Sequence, residues 1–175
     1  MAVAAAAASL ALAGVGVSTA AAAGGLPPRG HVLLGVVGPD PAAFDSLTGR
    51  HHVLHLTFGW AIGGATLEAD RAESRIPVVS VEPGAPPRAV AQGQVDALLL
   101  QAAITYNEAR WPVWVRPMPE MNGHWSPDCA VSTSGAPRGP AYSATWFRKA
   151  FQRISVIIHG GSGAWWVAQD PSCLV

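Results

Sequence analysis

Hydrophobic residues along this chain form short apolar runs, which alternate with polar or amphipathic stretches. Four of these runs are rich in β-branched and aromatic residues and have the length of β-strands. They are His31–Val37, His51–Trp60, Ile76–Val81 and Val113–Val115. The first run is apolar almost without interruption, so it predicts a strand buried on both faces.

Two longer segments have apolar residues at the 3.6-residue spacing of an amphipathic helix. Ala89–Arg110 is predicted to form one continuous helix that covers the sheet. Ala144–His159 is predicted to form another, with Ser143 as its N-cap and Gly160 and Gly161 as a left-handed stop. Both helices would present one apolar stripe to the strands.

Shorter signals complete the pattern of alternating strands and helices. Pro41–Leu47 predicts a short helix ended by Gly49, Glu68–Arg75 predicts a helical turn, and Ala164–Ala168 predicts the start of a fifth strand. Strand and helix therefore alternate four times and begin a fifth repeat. This alternation predicts an α/β fold of parallel strands joined by right-handed crossovers.

The composition limits the classes of partner. The chain has 175 residues, which favours one domain. It has 11 basic and 11 acidic residues, a formal net charge of zero. A balanced charge gives no electrostatic reason to expect a nucleic-acid or anionic-membrane partner.

The N-terminal segment predicts export. Residues 2 to 23 carry no charge and are mostly small or apolar, which favours a signal peptide at residues 1 to 23 and a linker at residues 24 to 30. The mature protein is then secreted, with no membrane association after cleavage. Two alternatives are an uncleaved membrane anchor and a low-complexity alanine tract, and no basic residue precedes Arg29.

The cysteines and clustered histidines offer weaker signals. Cys129 and Cys173 would form one disulfide or remain free thiols, an alternative that the sequence leaves open. His51 and His55 would share one face of a strand, whereas His52 would point to the other face. Because no further ligand lies near them in sequence, no metal and no cofactor are predicted.

Polar and aromatic residues are concentrated just after the fourth apolar run. The stretch from Pro112 to Pro127 is P-V-W-V-R-P-M-P-E-M-N-G-H-W-S-P. It places Arg116, Glu120, Asn122 and Trp125 where a parallel strand ends, which is where α/β barrels carry their functional groups. A carboxylic acid beside an indole suits a sugar, because the acid protonates the glycosidic oxygen and the ring stacks on the pyranose.

The segment R-P-M-P-E-M-N-G-H-W resembles the strand-four signature of glycoside hydrolase family 26, the β-mannanases, usually written R-x-x-H-E-M-N-G-x-W. In that resemblance Glu120 matches the general acid/base and Arg116 the arginine of the same strand. Asn122, Gly123 and Trp125 match the following loop. The position before the acid is Pro119 here, where the family usually has histidine.

The resemblance implies a TIM-barrel fold. A (β/α)8 barrel usually takes ~250 residues, so residues 31 to 175 are expected to form a partial barrel, truncated to about strands 1–4 or 5. The expected activity is endo-β-mannanase-like hydrolysis of a polysaccharide with retention of configuration at the anomeric carbon. The family's nucleophile lies on strand seven. The alternative is a truncated, inactive remnant or a weak glycan-binding protein, and the half-barrel is expected to self-associate.

Each site residue has a second interpretation. Glu120 is the acid/base or a solvated loop acid. Arg116 orients Glu120 or fills the barrel interior, and Asn122 binds substrate or forms the turn before Gly123. Trp125 and Trp60 are walls of a sugar subsite or core aromatics. Glu82 is a second carboxylate at the same mouth or a surface charge.

Overall fold

Parallel β-pairing organises the described part of the chain. The computed structural model describes residues 27, 29–59 and 64–160. Its strands are β1 (Gly35–Val37), β2 (Leu54–Phe58), β3 (Ile76–Val81) and β4 (Trp114–Pro117). They form one four-stranded sheet in the order β1-β2-β3-β4, with every neighbouring pair parallel. The predicted α/β class with parallel strands is confirmed.

Helices fill the crossovers between the strands. They are α1 (Pro41–Thr48), α2 (Gly64–Ala72), α3 (Pro87–Ala91), α4 (Asp96–Glu108) and α5 (Ala144–His159). A short 3₁₀ turn at Pro140–Tyr142 precedes α5. Among the described residues no helix is both long and apolar enough to cross a lipid bilayer.

α2, α4 and the end of α5 pack on one face of the sheet. Val79 and Val81 of β3 lie in a buried cluster with Leu67 of α2 and Tyr106 of α4. Burial of its phenol raises the pKa of Tyr106 to about 12. The other sheet face carries the alternate residues, and there Val37 and Phe58 remain 58% and 64% exposed.

The prediction of a first strand buried on both faces is wrong. β1 comprises only Gly35–Val37, although the carbonyl of Leu34 still accepts a hydrogen bond from the backbone N–H of Leu54 at 3.0 Å. Val32 is 81% exposed. β1 pairs with β2 alone among the described strands, so one of its edges and one of its faces lack cover. Apolar composition could not show that this strand lies at the edge.

The predicted continuous helix over Ala89–Arg110 is also wrong, because α3 and α4 are separate helices. The chain between them turns at Gly93, whose φ of 87° is left-handed. A Cβ at Gly93 would lie 2.6 Å from Nη2 of Arg153. The fully buried Arg153 guanidinium enters this break from α5 and donates two hydrogen bonds to Asp96, one of them at 2.7 Å from Nε. The break therefore accommodates a buried ion pair.

Other predicted elements agree better. α5 has the predicted bounds, with the Ser143 hydroxyl accepting a hydrogen bond from the backbone N–H of Trp146 and left-handed Gly160 at its end. α1 ends at left-handed Gly49, as predicted. α2 is longer than the helical turn expected there. The predicted fifth strand at Ala164–Ala168 lies outside the described residues.

The amino edge of the sheet, where β2 and β3 begin, is joined by one half-buried carboxylate. Asp45 of α1 accepts hydrogen bonds from the ring nitrogens of His51 and His52 at 2.9 and 2.7 Å and from Arg75 at 2.8 Å. Arg75 also donates to the carbonyl of His52 and to Glu73. The Arg75 guanidinium, followed by the two histidines, holds the pKa of Asp45 well below its usual range.

The expected orientation of the three histidines is wrong. His51 and His52 precede β2, so strand alternation does not apply to them, and both bind Asp45. His55 lies within β2 and contacts Asp70 of α2 through Nδ1 at 2.7 Å and the Gly38 carbonyl through Nε2 at 2.8 Å. All three histidines therefore connect elements of the fold.

Candidate functional site

The carboxyl edge of β3 and β4 positions the candidate site. Val81 pairs with Pro117, and the backbone N–H of Met118 donates to the Val81 carbonyl at 2.8 Å. Residues that follow the two strands therefore leave the sheet at one edge. Glu82 comes directly after β3, whereas Glu120 follows β4 by three residues.

The backbone after β4 has an unusual conformation. Met118 and Glu120, on either side of Pro119, have left-handed φ angles of 46° and 60°. Such angles are uncommon for residues other than glycine and cost of order 1–3 kcal/mol each. Met118 is anchored in the core with Val90, Leu99 and Ile154. The carbonyl of Glu120 then accepts from the backbone N–H of Gly123 at 2.7 Å, which reverses the chain.

This reversal brings Glu120 back to Arg116. Nη2 of Arg116 lies 3.3 Å from Oε1 of Glu120, and the two side chains are 42% and 50% exposed. Among the described residues Glu120 has no other side-chain partner. The predicted contact between the two residues is present, and both remain accessible to a ligand.

Trp125 lies beside this pair in sequence and is 61% exposed. Its indole packs over Gly123, where a Cβ would come within 2.4 Å of the ring. The His124 ring makes an edge contact with it, with centroids 5.1 Å apart. Trp125 is therefore a positioned surface aromatic, and its interpretation as a core residue is wrong. Asn122 is exposed and forms the turn before Gly123.

The loop behind Trp125 is anchored by buried polar groups. The Cys129 thiol is fully buried and donates to the Glu120 carbonyl at 3.5 Å. Ser126 donates to Oδ1 of buried Asp128 at 2.8 Å. Arg138 donates to the carbonyls of Ser126 and Pro127 at 3.0 and 2.8 Å. These contacts hold the loop against the sheet edge without engaging the carboxylate of Glu120.

The remaining predicted residues have different outcomes. Glu82 is half-buried, and its carboxylate makes no hydrogen bond or ion pair to any other described residue. Trp60 and Cys173 lie outside the described residues. Within the residues that the structure covers, no group of three His, Cys, Asp or Glu side chains is arranged to hold a metal ion.

Sequence reasoning did not single out Arg138, which contacts the loop after Trp125, or the aromatic residues Tyr142 and Trp146 as parts of a site. The Arg138 guanidinium lies 5.5 Å from the centroid of the Tyr142 ring. Trp146 has Arg88 and Lys149 each 5.5 Å from its ring centroid. A signal was present in the sequence, because residues 129 to 160 contain several basic residues and no acidic one.

Comparison of the chain with protein-family models gives no match, and comparison with curated protein sequences gives no significant similarity.

Proposed function

We propose that this chain is a secreted glycoside hydrolase of the endo-β-mannanase type and that Glu120 is its general acid/base. The observation that carries the proposal is the accessible Arg116–Glu120 pair at the carboxyl edge of a parallel sheet, followed by an exposed tryptophan. Neither member of the pair is needed to fill a core. Their accessible position favours a role toward a ligand.

The proposed chemistry assigns one role to each side chain. Glu120 protonates the glycosidic oxygen as the bond breaks and later takes a proton from the attacking water. Arg116 holds the carboxyl group in place through the contact at 3.3 Å. Trp125 stacks against the apolar face of a pyranose ring, with Gly123 providing the space that its indole needs.

The barrel type of the fold belongs to this proposal. The strands follow one another in chain order without reversal, and crossover helices pack on one sheet face. That succession is the one found in a (β/α)8 barrel, whereas doubly wound folds reverse the strand order. The sheet face that bears Val37 and Phe58 would then be directed to the barrel interior.

A retaining mechanism requires a second carboxylate about 5–5.5 Å from the first. The resemblance places it on a seventh strand, and among the described residues Glu82 is the candidate. Glu82 follows the strand next to that of Arg116 and has no described polar partner. We assign it as the residue to test for this second role.

A non-catalytic glycan-binding protein is the second candidate function. Pro119 favours it, because proline offers no side-chain donor beside Glu120 at the position where the family usually has histidine. The exposed Trp125 would serve binding without hydrolysis. This candidate predicts that the chain binds β-mannan without releasing reducing ends.

Reducing-sugar release from β-mannan by the full chain and by Glu120→Gln tests the proposal. Glu68→Gln is a matched control. Glu68 forms an exposed ion pair with Arg71, at a distance of 3.6 Å, on α2 and not at the candidate site. Release that is lost only in Glu120→Gln supports hydrolysis. Absence of release, with binding that Trp125→Ala abolishes, establishes the binding protein instead. Absence of both overturns the proposal.

Self-association remains part of the proposal, and the exposed Val37 and Phe58 favour it. Phe58→Thr is expected to lower the mean mass measured by light scattering. Leu47→Thr is the control, because Leu47 is 85% exposed but lies on α1. A monomer in the unsubstituted chain, or equal effects of both changes, would contradict an association through the sheet.

A further inference from the structure

A basic and aromatic surface adjoins the candidate site. It consists of Arg88, Arg138, Tyr142, Trp146 and Lys149, and it is called here the basic–aromatic face. Arg88 and Lys149 each lie 5.5 Å from the centroid of Trp146, and Arg138 lies at the same distance from that of Tyr142. All three separations fall within the range of cation–π attraction.

The cations of this face form no ion pairs with described carboxylates, although buried Asp128 adjoins the Pro127 carbonyl that Arg138 contacts. Residues 83 to 95 and 129 to 160 contain no acidic residue. None of Arg88, Arg138 and Lys149 forms an ion pair with a described carboxylate. By contrast, the nearby Arg153 is neutralised by Asp96. Since the whole chain has a formal net charge of zero, the charge is distributed unevenly and this face should attract anions.

The packing of the fold brings these residues together from separate segments. α3 and α5 are packed against each other through Val90, Ala91 and Ile154 in one buried cluster, and Trp146 packs on that cluster. Arg88 of α3 thereby reaches the ring of Trp146 in the first turn of α5. Two like charges that converge on one ring repel each other, and a bound anion would relieve that repulsion.

One residue of the basic–aromatic face, Arg138, contacts the loop of the proposed sugar site. Nη1 of Arg138 donates to the carbonyls of Ser126 and Pro127, the residues directly after Trp125. The same guanidinium lies over Tyr142. Arg138 therefore joins the basic–aromatic face to the loop that carries Trp125.

We propose that the basic–aromatic face binds an acidic polysaccharide whose carboxylate groups are attached to its sugar rings. This inference goes beyond the proposed function: β-mannan is neutral, and the basic–aromatic face adds a surface for an acidic glycan beside the site proposed for β-mannan. A uronic acid carries its charge next to an apolar ring face, which matches a cation held beside an indole.

Affinity electrophoresis or calorimetry of the full chain with a soluble polyuronate and with neutral galactomannan tests the inference. The polyuronate is expected to bind about tenfold more tightly at low ionic strength, with the difference decreasing as salt is added. Lys149→Gln or Arg88→Gln should remove about that factor for the polyuronate and leave galactomannan binding unchanged.

Arg148→Gln is the matched control, because Arg148 has the same charge as its neighbour Lys149 but no contact with the Trp146 ring. An equal loss in Arg148→Gln and Lys149→Gln would overturn the inference, since it would indicate unspecific attraction. Equal affinity for both glycans would overturn it while leaving the proposed function intact. Binding to neither glycan would overturn both. Tighter binding to a sulfated glycan or single-stranded oligonucleotide than to the polyuronate would also overturn it.

Discussion

The two edges of the parallel sheet use ion pairs in opposite ways. At the amino edge, Asp45 and Arg75 are 18% and 3% exposed, and their polar atoms bind several partners. At the carboxyl edge, Arg116 and Glu120 are 42% and 50% exposed and bind each other through one contact. The buried, multiply bonded group resists change, whereas the exposed pair retains bonding capacity for a ligand.

Because the two ion pairs differ in exposure and in number of contacts, the two edges should respond differently to substitution. A buried pair that loses one partner leaves an uncompensated charge, while an exposed pair contributes little to stability. Substitutions at the amino edge should lower the free energy of unfolding. Those at the carboxyl edge should change activity or binding at nearly constant stability.

Asp45→Asn should have the largest effect. It removes the partly buried charge that, together with Glu73, compensates buried Arg75, so we expect a loss near the lower end for breaking such a pair, about 3 kcal/mol. Chemical denaturation at pH 7 measures the change. Glu73→Gln is the control, since Glu73 also binds Arg75 but is 48% exposed. Equal losses in the two variants would show that the lower exposure of Asp45 and its additional hydrogen bonds do not matter.

The contribution of Asp45 should also depend on pH. Its pKa is lowered in the folded state from the usual 3.8, so the folded protein holds the ionised form more strongly than the unfolded chain does. The resulting stability is present above that value and is lost as the pH falls through it toward the lowered folded pKa. The difference in free energy of unfolding between the unsubstituted chain and Asp45→Asn should therefore shrink as the pH falls from about 5 to about 2. These two values lie about one to two units above and below 3.8.

Gly93→Ala should have the next largest effect on stability. It tests a buried ion pair in the helix layer, away from both edges of the sheet. Left-handed φ at this position and a Cβ 2.6 Å from the Arg153 guanidinium both oppose alanine. We expect a loss of about 2 kcal/mol in thermal or chemical denaturation. Gly135→Ala is the control, because its φ of 80° is similar but nothing lies within 4 Å of its Cβ position. A similar loss in both would assign the effect to backbone conformation alone.

The break at Gly93 shows where sequence reasoning reaches its limit for the fold. α5 was predictable because its apolar stripe, Ser143 cap and terminal glycine all lie within one segment. The split between α3 and α4 depends on Arg153, which is distant in sequence and enters only after folding. Periodicity across Ala89–Arg110 is compatible with one helix or two, so the local pattern could not distinguish them.

The candidate site has the same limit. The Arg116–Glu120 contact follows from residues four apart after one strand, and the sequence motif indicated it. The exposure of Trp125 depends on how the loop folds over Gly123, which composition does not show. The grouping of Arg88 with Trp146 requires α3 to pack on α5. Tertiary packing therefore supplied what the local sequence lacked.

Glu120→Gly should have a smaller effect and one of opposite sign. A left-handed residue other than glycine costs about 1–2 kcal/mol, and the greater entropy of an unfolded glycine offsets about 0.5–1 of that. We expect unfolding to become harder by about 0.5 kcal/mol, together with loss of the proposed hydrolysis. Ser74→Gly, at a φ of 58°, should stabilise similarly without affecting activity. A destabilised Glu120→Gly would mean that its side chain supports the fold.

Arg116→Gln should have the smallest effect on stability and is the most direct test of the comparison. The pair at the carboxyl edge is half-exposed on both sides, so its loss should change the free energy of unfolding by less than about 0.5 kcal/mol. If Arg116 positions Glu120, hydrolysis should fall in kcat while glycan affinity stays close to that of the unsubstituted chain. Denaturation and steady-state kinetics on the same sample separate the two quantities. A stability loss comparable to that of Asp45→Asn would mean that both edges are structural, because an ion pair poised for a ligand cannot also carry a large share of the folding free energy in this exposed position.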